Sequence, residues 1–463
     1  MASQKYLDVS TCFRFQGKSP VGIVRTEYMV AKYILDNELG DFQFCKFDTD
    51  QNRFLNVSRQ ELERVLSSIG TQETINASTS ESCGTSLLSI KKKIKSRLKS
   101  TAKQIYHRMP PEVAPHFKQI ALDGIDFIHG LKDYRQRKKQ YFSSRKITSD
   151  KYDADWHFFQ KDDIYINLGL MWDFLPVKKL YNEKKKIEFK VVSVIYDLIP
   201  FIVPEYCNGM HHQFLSSIVD LIWLSNDIYC ISDHTLNDVS QFIKEMGMPS
   251  RKLNRIYLGT DIVKSENNEE IQLPDQFKDL KSGNFILFVS TIEARKNHEL
   301  VYQVWRQLYR TKKEHLLPVI FVGMMGWTVG DLFTKIQLDT RLFPEYIKWG
   351  HGVSDTTLEW LYKNCRFTVF PSHYEGWGLP VAESLSHGKI CISSNAASLP
   401  EVGTEYAEYI NPIDIKEWVN VVGEYMTNDD LLKKREEKIR CEYVPFLWKD
   451  GCEKFIESIK DIE

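Results

Sequence analysis

Apolar positions along this chain come in two patterns, short runs that suit strands and wider stripes that suit helices. Residues 367–370 form an apolar run of strand type, followed by a loop at 372–379 that holds Gly376 and Gly378. Pro380 fits the first position of a helix, where its missing N–H costs nothing. The pattern predicts that helix over 381–387, with Gly388 as its stop and a further strand at 389–394. The same alternation runs through the whole chain. Candidate strands of a first sheet are 6–10, 42–47, 163–172 as far as Gly169, 191–195 and 227–232. The continuous run at 191–195 suits a strand buried on both faces. After the loop at 18–22, Val24, Tyr28, Ala31 and Leu35 fall at helical spacing. Ser232 is placed to cap a helix, and 255–258 leads into the turn at 259–261. Candidate strands at 285–290, 318–323 and 347–352 open a second sheet. Strands alternating with helices predict an α/β fold with parallel sheets.

A chain of 463 residues, 43% of them hydrophobic, is too long for one ordinary core, and two domains are expected. The boundaries read as a first domain at 1–263, a polar, Pro-containing linker at 264–283, a second domain at 284–440 and a last segment at 441–463. The first domain carries an insertion near 87–146, preceded by a Ser/Thr/Asn/Gly-rich link at 71–86. Within it Leu87, Ile90, Ile94, Leu98, Ala102 and Ile105 form one helical stripe over 87–108, beside a run of Lys and Arg. Such a stretch suits an anionic membrane surface, and equally a helix packed on its own domain with a solvated basic face. A second basic run at 132–146 has the same two readings. The net charge of −1 gives no field that would gather nucleic acid. The 9 cysteines show no metal spacing and read as reduced thiols. No signal-peptide core and no apolar run of roughly 18 residues is found. The expected location is cytoplasmic, peripheral on the inner face of the cell membrane if 87–108 binds lipid.

Chemistry gathers at a few points. Seven residues separate Glu375 from Glu383, one in the glycine loop and one a turn into the helix. Carboxylates accept strong hydrogen bonds from diols. Glycines before a helix start let a ligand approach amides that favour anions. A phosphate between two polyols is a nucleotide sugar. Taken alone, the two glutamates read more readily as a solvated loop residue and an ordinary helix-surface residue. Arg295 and Lys296 precede a helix predicted from about His298, so two cations and free amides would converge as a diphosphate site. Asp197 follows the strand at 191–195, where open α/β sheets bind ligands, or else it caps the next turn. Gly22 and Arg25 stand at another strand–loop–helix junction, either an acceptor loop or a tight turn with a surface arginine. Asp48-Thr-Asp50 has no partner motif and reads as a polar turn rather than a metal site. His351 and His373 lack a third ligand and read as loop residues.

The Glu375-x7-Glu383 segment, with Gly376, Gly378, Leu379 and Pro380 inside it, resembles the signature of the retaining family 4 glycosyltransferases of group 1 type. Arg295-Lys296-Asn297 resembles a second element of that family. The likeness is dense from about 189 to 448 and sparse before. It implies the GT-B fold, two facing Rossmann-like α/β domains with parallel sheets and a C-terminal helix crossing back to the first domain. It implies that Glu375 orients the donor sugar, Glu383 holds the ribose, and Arg295, Lys296 and the backbone at Gly376, Gly378 and Leu379 grip the diphosphate. Asp197 would act on a reacting hydroxyl, Gly22 and Arg25 would face the acceptor, and the loop at 352–355 would read the base. Two positions depart from the family: Tyr196 stands where many members have His, and Ser290 where Gly is usual. The implied partners are a nucleotide diphosphate sugar and a glycan or lipid-linked acceptor, with no cofactor and no metal. The implied activity is retaining sugar transfer, with mannose from a GDP donor as the favoured case, in bacterial surface polysaccharide (O-antigen, lipopolysaccharide) synthesis. A GT-B nucleotide-sugar epimerase and a non-catalytic sugar-binding subunit are the alternatives.

Overall fold

The computed structural model describes residues 3–16, 22–69, 156–171, 174–207, 211–261, 273–326, 329–350, 352–460 and 462. These fall in one compact unit. The loop residues 18–21, the link at 71–86, the basic stretches at 87–108 and 132–146, His351, and the first part of the linker, to 272, lie outside the described residues.

The first sheet holds β1 (Lys5–Asp8), β2 (Phe42–Asp48), β3 (Arg53–Val57), β4 (Ile164–Asn167), β5 (Lys190–Ile195), β6 (Asp227–Cys230) and β7 (Lys252–Arg255). Their spatial order is β3-β2-β1-β4-β5-β6-β7. All neighbours are parallel except β2 and β3, an antiparallel hairpin. Asp48 closes that hairpin, its Oδ1 accepting from the Asp50 and Gln51 amides, so Asp48-Thr-Asp50 is a turn. β4 stops before Gly169. The chain there passes so close to the first helices that a Cβ would lie 1.9 Å from Thr11 Oγ1 and 2.1 Å from Glu27 Oε2.

The second sheet holds β8 (Ile286–Val289), β9 (Val319–Val322), β10 (Ile347–Gly350), β11 (Thr368–Phe370), β12 (Cys391–Ser394) and β13 (Glu408–Ile410), ordered β10-β9-β8-β11-β12-β13 and parallel throughout. In each sheet the winding direction reverses once, at β1/β4 and at β8/β11. Crevices at such reversals, beyond the carboxyl ends of the strands, are where open α/β sheets bind ligands.

Three sequence expectations change. The stretch at 264–283 is not a free linker in its described part. Phe277 is fully buried among Phe285, Leu287, Ile320 and Tyr362, and belongs to the second domain's core. The helix Ile23–Asp36 buries Val24, Glu27, Val30, Ala31 and Ile34, while Tyr28 and Leu35 are only half-buried. The inner face is rotated because the carboxyl of Glu27 lies inside. Finally, β3 was missed, since its alternation is weak: Phe54 and Val57 are buried, two exposed residues and one half-buried residue fill the rest.

The helix Trp448–Lys460 packs on the first sheet, with Trp448, Cys452, Phe455, Ile456 and Ile459 in one apolar core with Leu7, Val30 and Ile34. Its first amide donates to Asp261 Oδ1 at 2.7 Å. Among the described residues no helix is long and apolar enough to cross a membrane.

Candidate active site

The loops that follow β8 and β11 flank the winding reversal of the second sheet. After β8, Ala294–Lys296 forms a short 3-10 turn. Asn297, at φ +64°, then caps the helix His298–Thr311 by accepting from the Leu300 amide. Its Nδ2 donates to the Pro371 and Pro412 carbonyls. Of the amides at this helix start, that of Leu300 is therefore taken by Asn297. What reaches the crevice is the side chains of Arg295 and Lys296.

Both cations turn onto Glu375 in the loop after β11. Lys296 Nζ donates to Glu375 Oε1 at 2.6 Å, and Arg295 Nη1 lies 2.9 Å from the same oxygen. Arg295 Nη2 also donates to Glu293 Oε1 at 2.6 Å. The two loops are stitched by backbone as well, the His373 amide donating to the Arg295 carbonyl at 2.9 Å. Burial alone would raise the Glu375 pKa, but Arg295 and then Lys296 outweigh it and bring it down to about 2. Burial, reinforced by Arg295, lowers the Lys296 pKa against the pull of Glu375. His298 behind them is buried, its pKa down to about 3, and stays neutral. Glu293 escaped the sequence reading, because nothing in a single glutamate announces a partner two residues away.

The two glycines of the loop have protein reasons. A Cβ on Gly376 would lie 2.4 Å from the carbonyl oxygen of Tyr196, where the first domain touches the loop. Gly378 has φ +122°, and its Cβ would strike Leu399. These contacts stand beside the expected room for a ligand, since both glycines also line a cavity. Gly378 caps the helix Leu379–Ser386, with Pro380 in its first turn.

Across the crevice stands the end of β5. Asp197 Oδ1 accepts from the Ile199 amide at 3.0 Å, so it does cap the next turn, yet it remains half-buried. Burial raises its pKa, opposed chiefly by Arg295. Asp197, Gly22, Lys296, Glu375, Gly376, Gly378 and Leu379 line one cavity of about 230 Å³. One turn along the two helices that begin there, Arg25 Nη1 comes 3.7 Å from Glu383 Oε1. Glu383 Oε2 accepts from Tyr362 Oη at 2.8 Å. Arg25 thus meets a residue of the second domain. Among the described residues no three His, Cys, Asp or Glu side chains are grouped as a metal site.

Residues 271–441 match the family model "Glycosyl transferases group 1". The chain is 26% identical over 319 residues to the serotype-specific mannosyltransferase WbdA of Escherichia coli, covering 65% of this chain and 37% of that protein. It is 26% identical over 229 residues to the O-antigen chain mannosyltransferase B of Escherichia coli, covering 49% and 58%. The matches thus span between about a third and three fifths of these relatives. The crystal structure of Anabaena Alr3699/HepE in complex with UDP and glucose superposes with a TM-score of 0.55 over the full length of both chains, at 12% identity, a likeness of fold alone. The chain has the GT-B architecture, matches the glycosyl transferases group 1 model over residues 271–441, and resembles the O-antigen mannosyltransferases.

Proposed function

We propose that this chain is a retaining, metal-independent glycosyltransferase that moves mannose from a GDP-linked donor to a glycan or lipid-linked acceptor at the inner face of the cell membrane. The observation that carries the proposal is the meeting of Arg295, Lys296 and Glu375 at the winding reversal of the second sheet, opposite Asp197. The mannose assignment rests on likeness to the O-antigen mannosyltransferases.

The chemistry asks for a stabilised leaving diphosphate and a shielded, cation-like anomeric carbon. Arg295 and Lys296, with the helix start at Leu379, oppose the negative charge that grows on the diphosphate. Both are held in place before the donor arrives, by Glu293 and Glu375, so little reorganisation accompanies the reaction. Glu375, ionised at neutral pH, accepts from sugar hydroxyls and orients the ring. Glu383 accepts from the ribose diol. The anomeric C–O bond to the diphosphate breaks with its electron pair leaving on the diphosphate. The acceptor oxygen bonds the same face, and its proton passes to the departing phosphate oxygen. Asp197 positions the acceptor hydroxyl, and no protein nucleophile is needed.

The test is calorimetric titration of the full chain with GDP, UDP, GDP-mannose and UDP-glucose in EDTA, followed by turnover with the tightest donor and NMR of the product's anomeric configuration. Binding of GDP and GDP-mannose, EDTA-insensitive turnover and retained configuration are expected. An epimerised donor without acceptor marks an epimerase, binding without turnover marks a sugar-binding subunit, and inverted configuration refutes retention.

A further inference from the structure

The loop that carries Glu375 belongs to the second domain, yet three of its residues rest on the first. The ring of His373 stacks on Tyr206, with centroids 4.9 Å apart and planes 8° from parallel. Tyr374 Oη donates to Asp238 Oδ2 and lies 3.1 Å from His234 Nε2. Gly376 packs on the Tyr196 carbonyl, and Thr235 Oγ1 lies 3.4 Å from the Gly376 carbonyl oxygen. His234, Thr235 and Asp238 all belong to one helix of the first domain, Asp233–Glu245.

A second tie joins the same helix to the far end of the loop. Glu401, in the second domain, accepts the Asp233 and His234 amides at 2.8 and 2.7 Å. These are donors that a helix start leaves without intrahelical partners, and a carboxylate there also meets the positive end of the helix dipole. Arg255 of the first domain lies 3.3 Å from the same carboxylate. One turn before Glu401, Ser398 Oγ lies 2.9 Å from the Glu375 carbonyl and 2.7 Å from that of Trp377. Both flanks of Glu375 are therefore referred to one helix of the opposite domain.

The side chains that meet the diphosphate are fixed differently. Arg295 and Lys296 are held by Glu293, Glu375 and the Tyr374 carbonyl, all within the second domain. These contacts tie both cations to the Glu375 loop, yet none of them involves Asp238, Glu401 or the Tyr374 hydroxyl. We propose that Asp238, acting through Tyr374, and Glu401, acting through the helix start at Asp233, are positioning residues that set the Glu375 loop for turnover without contributing to nucleotide affinity. This rests on the transferase reading above, and deepens it by separating binding from catalysis. No contact of Asp238 or Glu401 with a substrate is implied.

The experiment compares full-length wild type with Asp238→Asn, Tyr374→Phe, the double variant, Glu401→Gln and Glu375→Gln. Thermal unfolding confirms that each folds, calorimetry gives GDP affinity, and GDP release from GDP-mannose gives kcat. Asp238→Asn and Tyr374→Phe should each lower kcat about tenfold while GDP affinity stays within about twofold. Because both variants act on one bond, which Asp238→Asn weakens and Tyr374→Phe removes, the double variant should be no slower than the slower single. Glu401→Gln keeps the shape and loses the charge, and should show the same split at a smaller size. Wild-type kcat in Asp238→Asn, additive losses in the double variant, or GDP affinity falling in step with kcat overturns the inference. Normal turnover in Glu375→Gln overturns instead the transferase reading on which it stands.

Discussion

The two sheets reverse their winding in the same way, and they fill the reversal with different chemistry. In the first, the buried groups are acids. Asp8, at the end of β1, accepts from the Ser10 amide at 2.8 Å, from the hydroxyls of Ser10 and Tyr165, and from Asn167 Nδ2 at 3.2 Å. Glu27 Oε1 accepts from the Cys12 amide at 2.7 Å. All these donors are neutral. Burial therefore governs, and with Asp8 beside it the Glu27 pKa climbs to about 8. In the second, Glu375 is as deeply placed but has two cations on one oxygen, and falls to about 2. Depth is common to both sites, so the partners decide the protonation state. A neutral acid suits a site for hydroxyls, and fixed cations suit a diphosphate.

The largest effect should come from breaking the cationic side. Lys296→Ala and Glu375→Ala should each cost about two to three powers of ten in turnover, as loss of one transition-state donor does elsewhere. Lys296→Ala also removes one of the two charges that depress Glu375. The acid limb of its pH–rate profile should then move to higher pH than in wild type. Near-normal turnover in both variants would remove the assigned roles.

Next in size is the acidic side, read as stability. Glu27 has a folded pKa of about 8 against an ordinary 4.5, so the folded state holds its proton more tightly than the unfolded one. Its contribution is fully present below pH 4.5 and is lost as pH rises toward 8. Between about pH 5 and about pH 7 the loss should be about 2 to 3 kcal/mol. Glu27→Gln keeps an acceptor for the Cys12 amide and cannot ionise. Urea unfolding at both pH values should show the wild-type slope flattened in the variant. Equal slopes would place a cation near Glu27 and end the contrast between the two sites.

What the sequence disclosed follows the same division. Arg295, Lys296, Glu375 and Glu383 were legible because each lies in a compact, ordered string beside a strand end. Glu27, Asp238 and Glu401 were not legible as partners, because what they touch is far away in the chain. Gly376 was read as room for a ligand, and its second reason, the approach of Tyr196, was hidden because Tyr196 belongs to the other domain. Phe277 looked like part of a polar linker because its burial comes from strands that follow it. Periodicity reports which face of an element is covered. It does not report what covers it, and Glu27 on the inner face of an apolar helix is the case where that matters most.

The smallest predicted effect concerns a place where charged groups of the two domains meet. Arg25 comes from the acid-bearing domain, and the acid it meets, Glu383, comes from the cation-bearing one. Tyr362 already holds one oxygen of Glu383, so Arg25 faces the other, at an ion-pair distance longer than a hydrogen bond. Such a contact steadies the carboxylate without fixing it. Arg25→Ala should raise the donor KM about three- to fivefold and leave kcat unchanged, the size expected of a partly exposed pair. Arg25→Lys should recover only part of this, since an ammonium lacks the planar fork that reaches a carboxylate from the side. The resemblance by itself puts Arg25 on the acceptor. If the acceptor KM rises and the donor KM does not, Arg25 serves the acceptor, and its approach to Glu383 has no part in holding the donor.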